Sequence, residues 1–236
     1  NETSQDARKN LDDIAPSATI AIGANLTAGG EGAIVVGSDS NVTGTNVVAL
    51  GNVVTADGKG AVVIGNTARS AGDNTLALGN ESNAAGNNTV ALGNETSTAG
   101  EFSVAIGNAS TTDGGYSIGI GNNAKGEGDN TISVGNTSNA SGNTSIAIGN
   151  GGISSGETSV AIGNSARSQG NQTISFGNKS QAKLENAIAI GNVTIANGLS
   201  SVAVGNQAQA TGADSLATGN TALAKGVNTV AMGNKT

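Results

Sequence analysis

The 236-residue chain has no cysteine, histidine or tryptophan, and only one proline, one tyrosine and two phenylalanines. Without cysteine, disulfides and thiolate ligands are excluded, and nothing indicates a redox compartment. Without histidine or cysteine, the usual nucleophile–base pairs and most transition-metal sites have no residues to be built from. The sequence therefore reads as a non-enzyme, with no cofactor and no metal expected. Lacking aromatic bulk, a conventional wide core is not expected either. No run of 18 apolar residues occurs, so no segment is expected to cross a membrane as a helix or to insert directly. Ten Lys and Arg stand against 17 Asp and Glu, a net charge of −7. That balance excludes the clustered basic grip on which sequence-independent nucleic-acid binding depends.

What the chain has in quantity is glycine, 38 residues of it. One glycine recurs every 14 residues from Gly23 to Gly233, sixteen times without an insertion. A second stands seven places after nearly every one of these, with Leu184 the departure. Such exact self-similarity is the mark of a repeat architecture, and two glycines per unit imply two turns, half a unit apart. Before the first glycine the pattern alternates, as a strand with one buried face does. Short strand pairs of invariant length cannot bury a face singly, but stacked coils bury one continuous core. An antiparallel meander would need two kinds of turn, whereas one invariant unit suits a parallel solenoid. The predicted fold is all-β: a single-chain parallel β-roll of about sixteen 14-residue coils over residues 18–236. Residues 1–17, polar and rich in charge, are predicted to form an N-terminal arm or cap shielding the first strand edge.

Three and one places before the first glycine stand branched aliphatics, including Val104, Ile106, Ile146, Ile148, Ile188 and Ile190, with Phe176 in the same pattern. These are the predicted core. Three and five places after it come small residues such as Ala68 and Ser70, expected to face the large ones across a narrow interior. Two places before it the residue is usually alanine, as at Ala77, Ala91, Ala105, Ala147, Ala161, Ala189 and Ala203, and four places before it usually Ser or Thr. A flat, uncharged ladder of this kind is expected to meet another copy of the chain. Ice binding and a plain solvated face are the competing readings.

Asn follows the first glycine in all but two units, giving the pairs Gly65–Asn66, Gly79–Asn80, Gly93–Asn94, Gly107–Asn108 and Gly163–Asn164. Glycine suits backbone angles or close approaches that a side chain would forbid, and Asn tolerates turns while its amide can bond its neighbour in the next coil. These are structural turn positions. Asp73, Glu101, Asp129, Glu157 and Glu185 recur every 28 residues, either as weak cation sites or as a spacing that keeps like charges apart. Phe102 and Tyr116 lie one coil apart at the same position, so they should stack on the surface, either as a small contact site or as local shielding of a turn.

The recurring "SVAIGN", "SIAIGN" and "SVAVGN" segments at 103–108, 145–150 and 201–206, on this 14-residue unit, closely resemble the head repeats of trimeric autotransporter adhesins of the YadA-like type. The resemblance implies a left-handed roll, three chains packed side by side, and display at the bacterial outer membrane. It also implies adhesion to extracellular matrix, host cells or other cell surfaces. It implies no particular ligand, because the heads of that family differ in what they bind. The alternative from the residues is a structural subunit of an extracellular filament, sheath or viral fibre.

Overall fold

The computed structural model describes residues 19–236, so the arm or cap expected over 1–17 lies outside the described residues. The chain divides into two compact units, one ending at Tyr116 and the next beginning at Ser117. Each is a parallel β-solenoid without a helix among the described residues. In the first unit the strands Ile20–Ala24, Ile34–Ser38, Val48–Asn52, Val62–Asn66, Leu76–Leu78, Val90–Leu92 and Val104–Ile106 form one parallel sheet. Two-residue strands, from Thr27–Ala28 to Thr111–Thr112, form the other. The second unit repeats the plan, with long strands from Ile118–Ile120 to Val230–Met232 and short ones from Lys125–Gly126 to Leu223–Ala224. Register follows the repeat, as in Val90 opposite Val104 and Ile132 opposite Ile146. The turns join the ladder too: Asn88 N–H donates to the Asp73 carbonyl at 2.8 Å, and Glu95 N–H to that of Asn80 at 2.9 Å. Nearly the whole coil, not the strands alone, is therefore tied to its neighbours.

The two glycine columns serve different needs. Gly93 adopts φ of +137°, and a Cβ there would lie 1.9 Å from the carbonyl oxygen of Gly107 in the next coil. The second column is held by proximity alone: a Cβ on Gly86 would lie 2.6 Å from the Gly100 carbonyl oxygen, with no positive φ involved. Left-handed backbone falls two places after each glycine, and after the first it falls on residues as varied as Glu81, Lys179 and Val193. Nothing in the residue types at that column announced it.

The interior reverses the expectation drawn from hydrophobicity. Ala77, Ala91, Ala105, Ala147, Ala161, Ala189 and Ala203, expected to meet another copy, are fully buried inside the roll. The Ser/Thr column four places before the glycine is buried with them, as Thr89, Ser103 and Ser159 show. Ala68 and Ser70 are buried as expected. Conversely Val104, Ile106, Ile146, Ile148 and Ile188 are only half-buried, and Phe176 and Ile190 are exposed. The reason is dimensional. A coil of 14 residues closes on strands of three to five and two residues, so its lumen takes alanine, serine and threonine, with valine at Val35, Val42, Val47, Val54 and Val63, but no column of Ile, Leu or Phe. Alternation then sends the larger column outward.

Burying so many hydroxyls is tolerable because most find an acceptor, often the glycine carbonyl of the turn behind, although Thr98 and Thr112 do not. Thr89 Oγ1 donates to the Gly86 carbonyl at 2.9 Å, and Ser201 and Ser215 bond those of Gly198 and Gly212, both at 2.7 Å. On the other turn Ser138 and Ser180 bond the carbonyls of Gly135 and Gly177 at 3.2 and 3.0 Å. Where serine replaces the inner alanine, hydroxyls pair across the lumen, Ser133 with Ser138 and Ser175 with Ser180. Ala203→Leu should overfill this lumen, where Ser201, Ala208 and Ala210 are already packed at zero exposure. The expected cost is about 1–3 kcal/mol, or roughly 2–12 °C in Tm for a chain of this size. Thermal unfolding checks this, with Ala203→Ser as the near-neutral comparison.

Candidate functional site

Turning the small columns inward leaves an uncharged apolar face outside. In the first unit it runs from Ile20 and Ile22 through Val48 and Leu50 to Val104 and Ile106; in the second, from Ile118 and Ile120 through Ile146 and Ile148 to Leu216. Within the sheet these side chains shield one another along the column, which is why most are half-buried rather than open. Ile22 and Phe176 are both 53% exposed, and Ile174 40%. Contiguous exposed apolar surface beyond a few hundred Å² is uncommon on monomeric soluble proteins and marks a contact site. The alanine column expected to meet another copy points into the roll, and the outward side of the same strand carries the aliphatic residues instead.

The remaining surfaces are mixed, mostly polar but with Val53, Leu184, Leu199, Leu223 and Val227 exposed on them. The short-strand sheet presents Arg69, Lys125, Arg167 and Gln209 to solvent. The turn asparagines form amide ladders: Asn66 Nδ2 donates to Asn80 Oδ1, Asn80 to Asn94 and Asn94 to Asn108, each at 3.0 Å. In the second unit Asn192, Asn206 and Asn220 each donate to the next asparagine at 2.9 Å. Asn164 departs from this by accepting from Ser165 Oγ at 3.2 Å. Gly65, Gly79, Gly93, Gly107 and Gly163 all hold positive φ at these turns.

The acidic row is interleaved with amides. Asp73 N–H donates to Asn87 Oδ1 at 2.9 Å, Asn87 Nδ2 to Glu101 Oε1 at 3.1 Å, and Glu157 N–H to Asn171 Oδ1 at 3.0 Å. The amides separate the carboxylates, accept from the backbone of the acidic residues and, at Asn87, donate to a carboxylate. No group of three or more acidic side chains is placed to hold a metal ion among the described residues. Phe102 and Tyr116 stack as expected, with centroids 5.0 Å apart and planes 11° from parallel, and both are exposed.

The repeat length, the outward aliphatic pairs and the glycine–asparagine turns together define a specific repeat type. A family model described as the YadA head domain repeat matches residues 28–52, 56–82, 70–96, 99–124, 127–151, 154–180, 168–194 and 196–222. The chain belongs to this family. Membership gives the YadA-like chain an adhesin-type function. Among solved structures, the collagen-binding domain of the Yersinia adhesin YadA is similar at 21% identity. That likeness covers 70% of this chain and 69% of the other, with a TM-score of 0.32. No curated protein matches the YadA-like chain. No helix among its described residues is long and apolar enough to cross a membrane.

Proposed function

We propose that this YadA-type head is a homotrimer displayed at the cell surface, on a bacterial outer membrane. There it attaches to extracellular matrix, host cells or other cells through repeated shallow contacts. The observation that supports it most is the uncharged aliphatic face on the long-strand sheet of each unit. Covering the exposed half of one such side chain contributes roughly 1 kcal/mol. About a dozen per chain reach the upper part of the ~4–15 kcal/mol that association costs in lost freedom. That face is therefore spent on self-association, and the polar sheet and turns carry adhesion. Many weak contacts on three chains then act together, so attachment rests on avidity rather than on one deep pocket.

Two measurements test this reading. Light scattering across a concentration series should return the mass of three chains at every concentration. A single-chain mass would defeat the trimer, and a steadily growing polymer would favour a filament subunit. Beads coated with the chain should be retained on immobilised matrix proteins or cultured cells. Retention no better than that of uncoated beads on every surface would overturn the adhesive role.

A further inference from the structure

The stacked pair on the first unit is unexplained by folding. Phe102 and Tyr116 both adopt left-handed backbone, with φ of 55° and 56°. Elsewhere in that column of the same unit stand Asn46, Gly60, Asn74 and Asn88, types that accept this conformation readily. Asparagine also contributes a bond along the column, as Asn74 Nδ2 does to Asn88 Oδ1 at 3.3 Å. An aromatic ring gives up both advantages. What the pair gains by stacking, about 0.5–1.5 kcal/mol, falls short of a backbone cost of roughly 1–2 kcal/mol for each of its two residues. Yet the unit's two aromatics sit one above the other and remain 48% and 63% exposed.

Within the first unit, the charges nearest the pair are acidic. Tyr116 N–H donates to the carbonyl of Glu101 at 2.8 Å, which fixes the ring column beside that acidic residue. The Glu101 carboxylate accepts one bond, from Asn87 Nδ2, and keeps further lone pairs toward solvent. Asp113 stands three residues before Tyr116 in the same turn. The described part of the unit carries eight carboxylates and only two cations, Lys59 and Arg69. Lys59 lies three coils from Glu101 and Arg69 two, about 14 and 10 Å along the stack, both beyond the screening length of about 8 Å at physiological salt.

We infer that Phe102, Tyr116 and Glu101 form a docking site for an arginine-bearing segment of a partner polypeptide. A guanidinium is planar and weakly hydrated, so it can lie against an aromatic surface while its edge bonds a carboxylate, which a lysine ammonium does less well. This assignment rests on the adhesive reading above and specifies the chemistry of one of its contacts.

The test uses the full chain and a short probe, acetyl-Gly-Arg-Gly-Gly-Arg-Gly-amide, with its citrulline counterpart as the uncharged control. Tyr116 is the only tyrosine and there is no tryptophan, so intrinsic fluorescence reports on this site alone. The arginine probe should change Tyr116 emission saturably, and the citrulline probe should need at least tenfold more. With fluorescein-labelled probe followed by anisotropy, Phe102→Asn/Tyr116→Asn should weaken binding at least tenfold. Because asparagine is the column's own residue, this variant should fold at least as stably as the parent. Glu101→Gln should weaken binding about threefold to tenfold and flatten its salt dependence. Equal binding by the double variant, or by the citrulline probe, would overturn the assignment. So would a change in solution mass in the double variant, which would make the pair a contact between copies. Bead retention that persists without probe binding would overturn this inference and leave the adhesive role standing.

Discussion

Light scattering on a chain carrying Ile146→Glu and Ile148→Glu is expected to return the mass of one chain where the parent returns three. Both side chains are outward members of adjacent aliphatic columns on the strand Ile146–Ile148 and are half-buried within the chain itself. In a trimer each pair would be covered by neighbouring copies, so the substitution sets six carboxylates into an apolar contact. A carboxylate removed from water without a partner is disfavoured by several kcal/mol. Several such groups outweigh what a dozen aliphatics contribute. In the single chain the same carboxylates reach solvent, so far-UV circular dichroism should still report β structure. The informative comparison is Ala147→Ser, between them in sequence. Ala147 is fully buried, its neighbours in the lumen are hydroxyl-rich, and its variant should keep the three-chain mass. A double glutamate variant that stays trimeric would mean that the chains meet through some other face.

Gly93→Ala should be far more damaging than one methyl group suggests. The added Cβ falls 1.9 Å from the Gly107 carbonyl oxygen, at a φ of +137° that L-residues rarely adopt. Neither partner is free to retreat: Gly93 N–H bonds the Leu78 carbonyl at 2.8 Å, and Gly107 N–H bonds that of Leu92 at 2.9 Å. Backbone strain of about 1–3 kcal/mol adds to roughly 1 kcal/mol for each ladder bond lost. A total of about 3–5 kcal/mol follows, which corresponds to roughly 6–20 °C in Tm. Gly151→Ala is the control. Gly151 also has positive φ, +63°, but the nearest atom to its added Cβ is 3.7 Å away. Other coils place Glu81 and Lys179 at that position with similar angles, so alanine there should cost no more than about 1–2 kcal/mol. Equal Tm losses for the two variants would mean that coil-to-coil approach is not what keeps glycine at Gly93.

The repeat, the two turns, the parallel stacking and the amide ladder were legible in the sequence because each follows from translation. Whatever residue 93 does, residues 79 and 107 do beside it, so a bond or a clash between coils is written as a column of identical letters. The stacked Phe102 and Tyr116 were legible for the same reason. The left-handed positions after the first glycine were not, because Glu81, Lys179 and Val193 have no turn preference in common, and neighbouring coils impose the angle on them.

The side of the strand that forms the core was not legible from alternation, because a period of two is unchanged when its faces are exchanged. Ranking residues by hydrophobicity put Ile146 and Ile148 inside and Ala147 outside, and the structure reverses them. One signal did favour the observed arrangement. Ser or Thr recurs three places after both glycine columns, as in Gly79–Ser82 and Gly86–Thr89, where the hydroxyl bonds the glycine carbonyl from inside the coil. By itself, then, the sequence determined that this chain is a stack of identical parallel coils with glycine at every turn. Only the tertiary structure decided what lies inside, because the closing radius of a 14-residue coil admits side chains up to valine and threonine and turns the Ile and Leu columns outward.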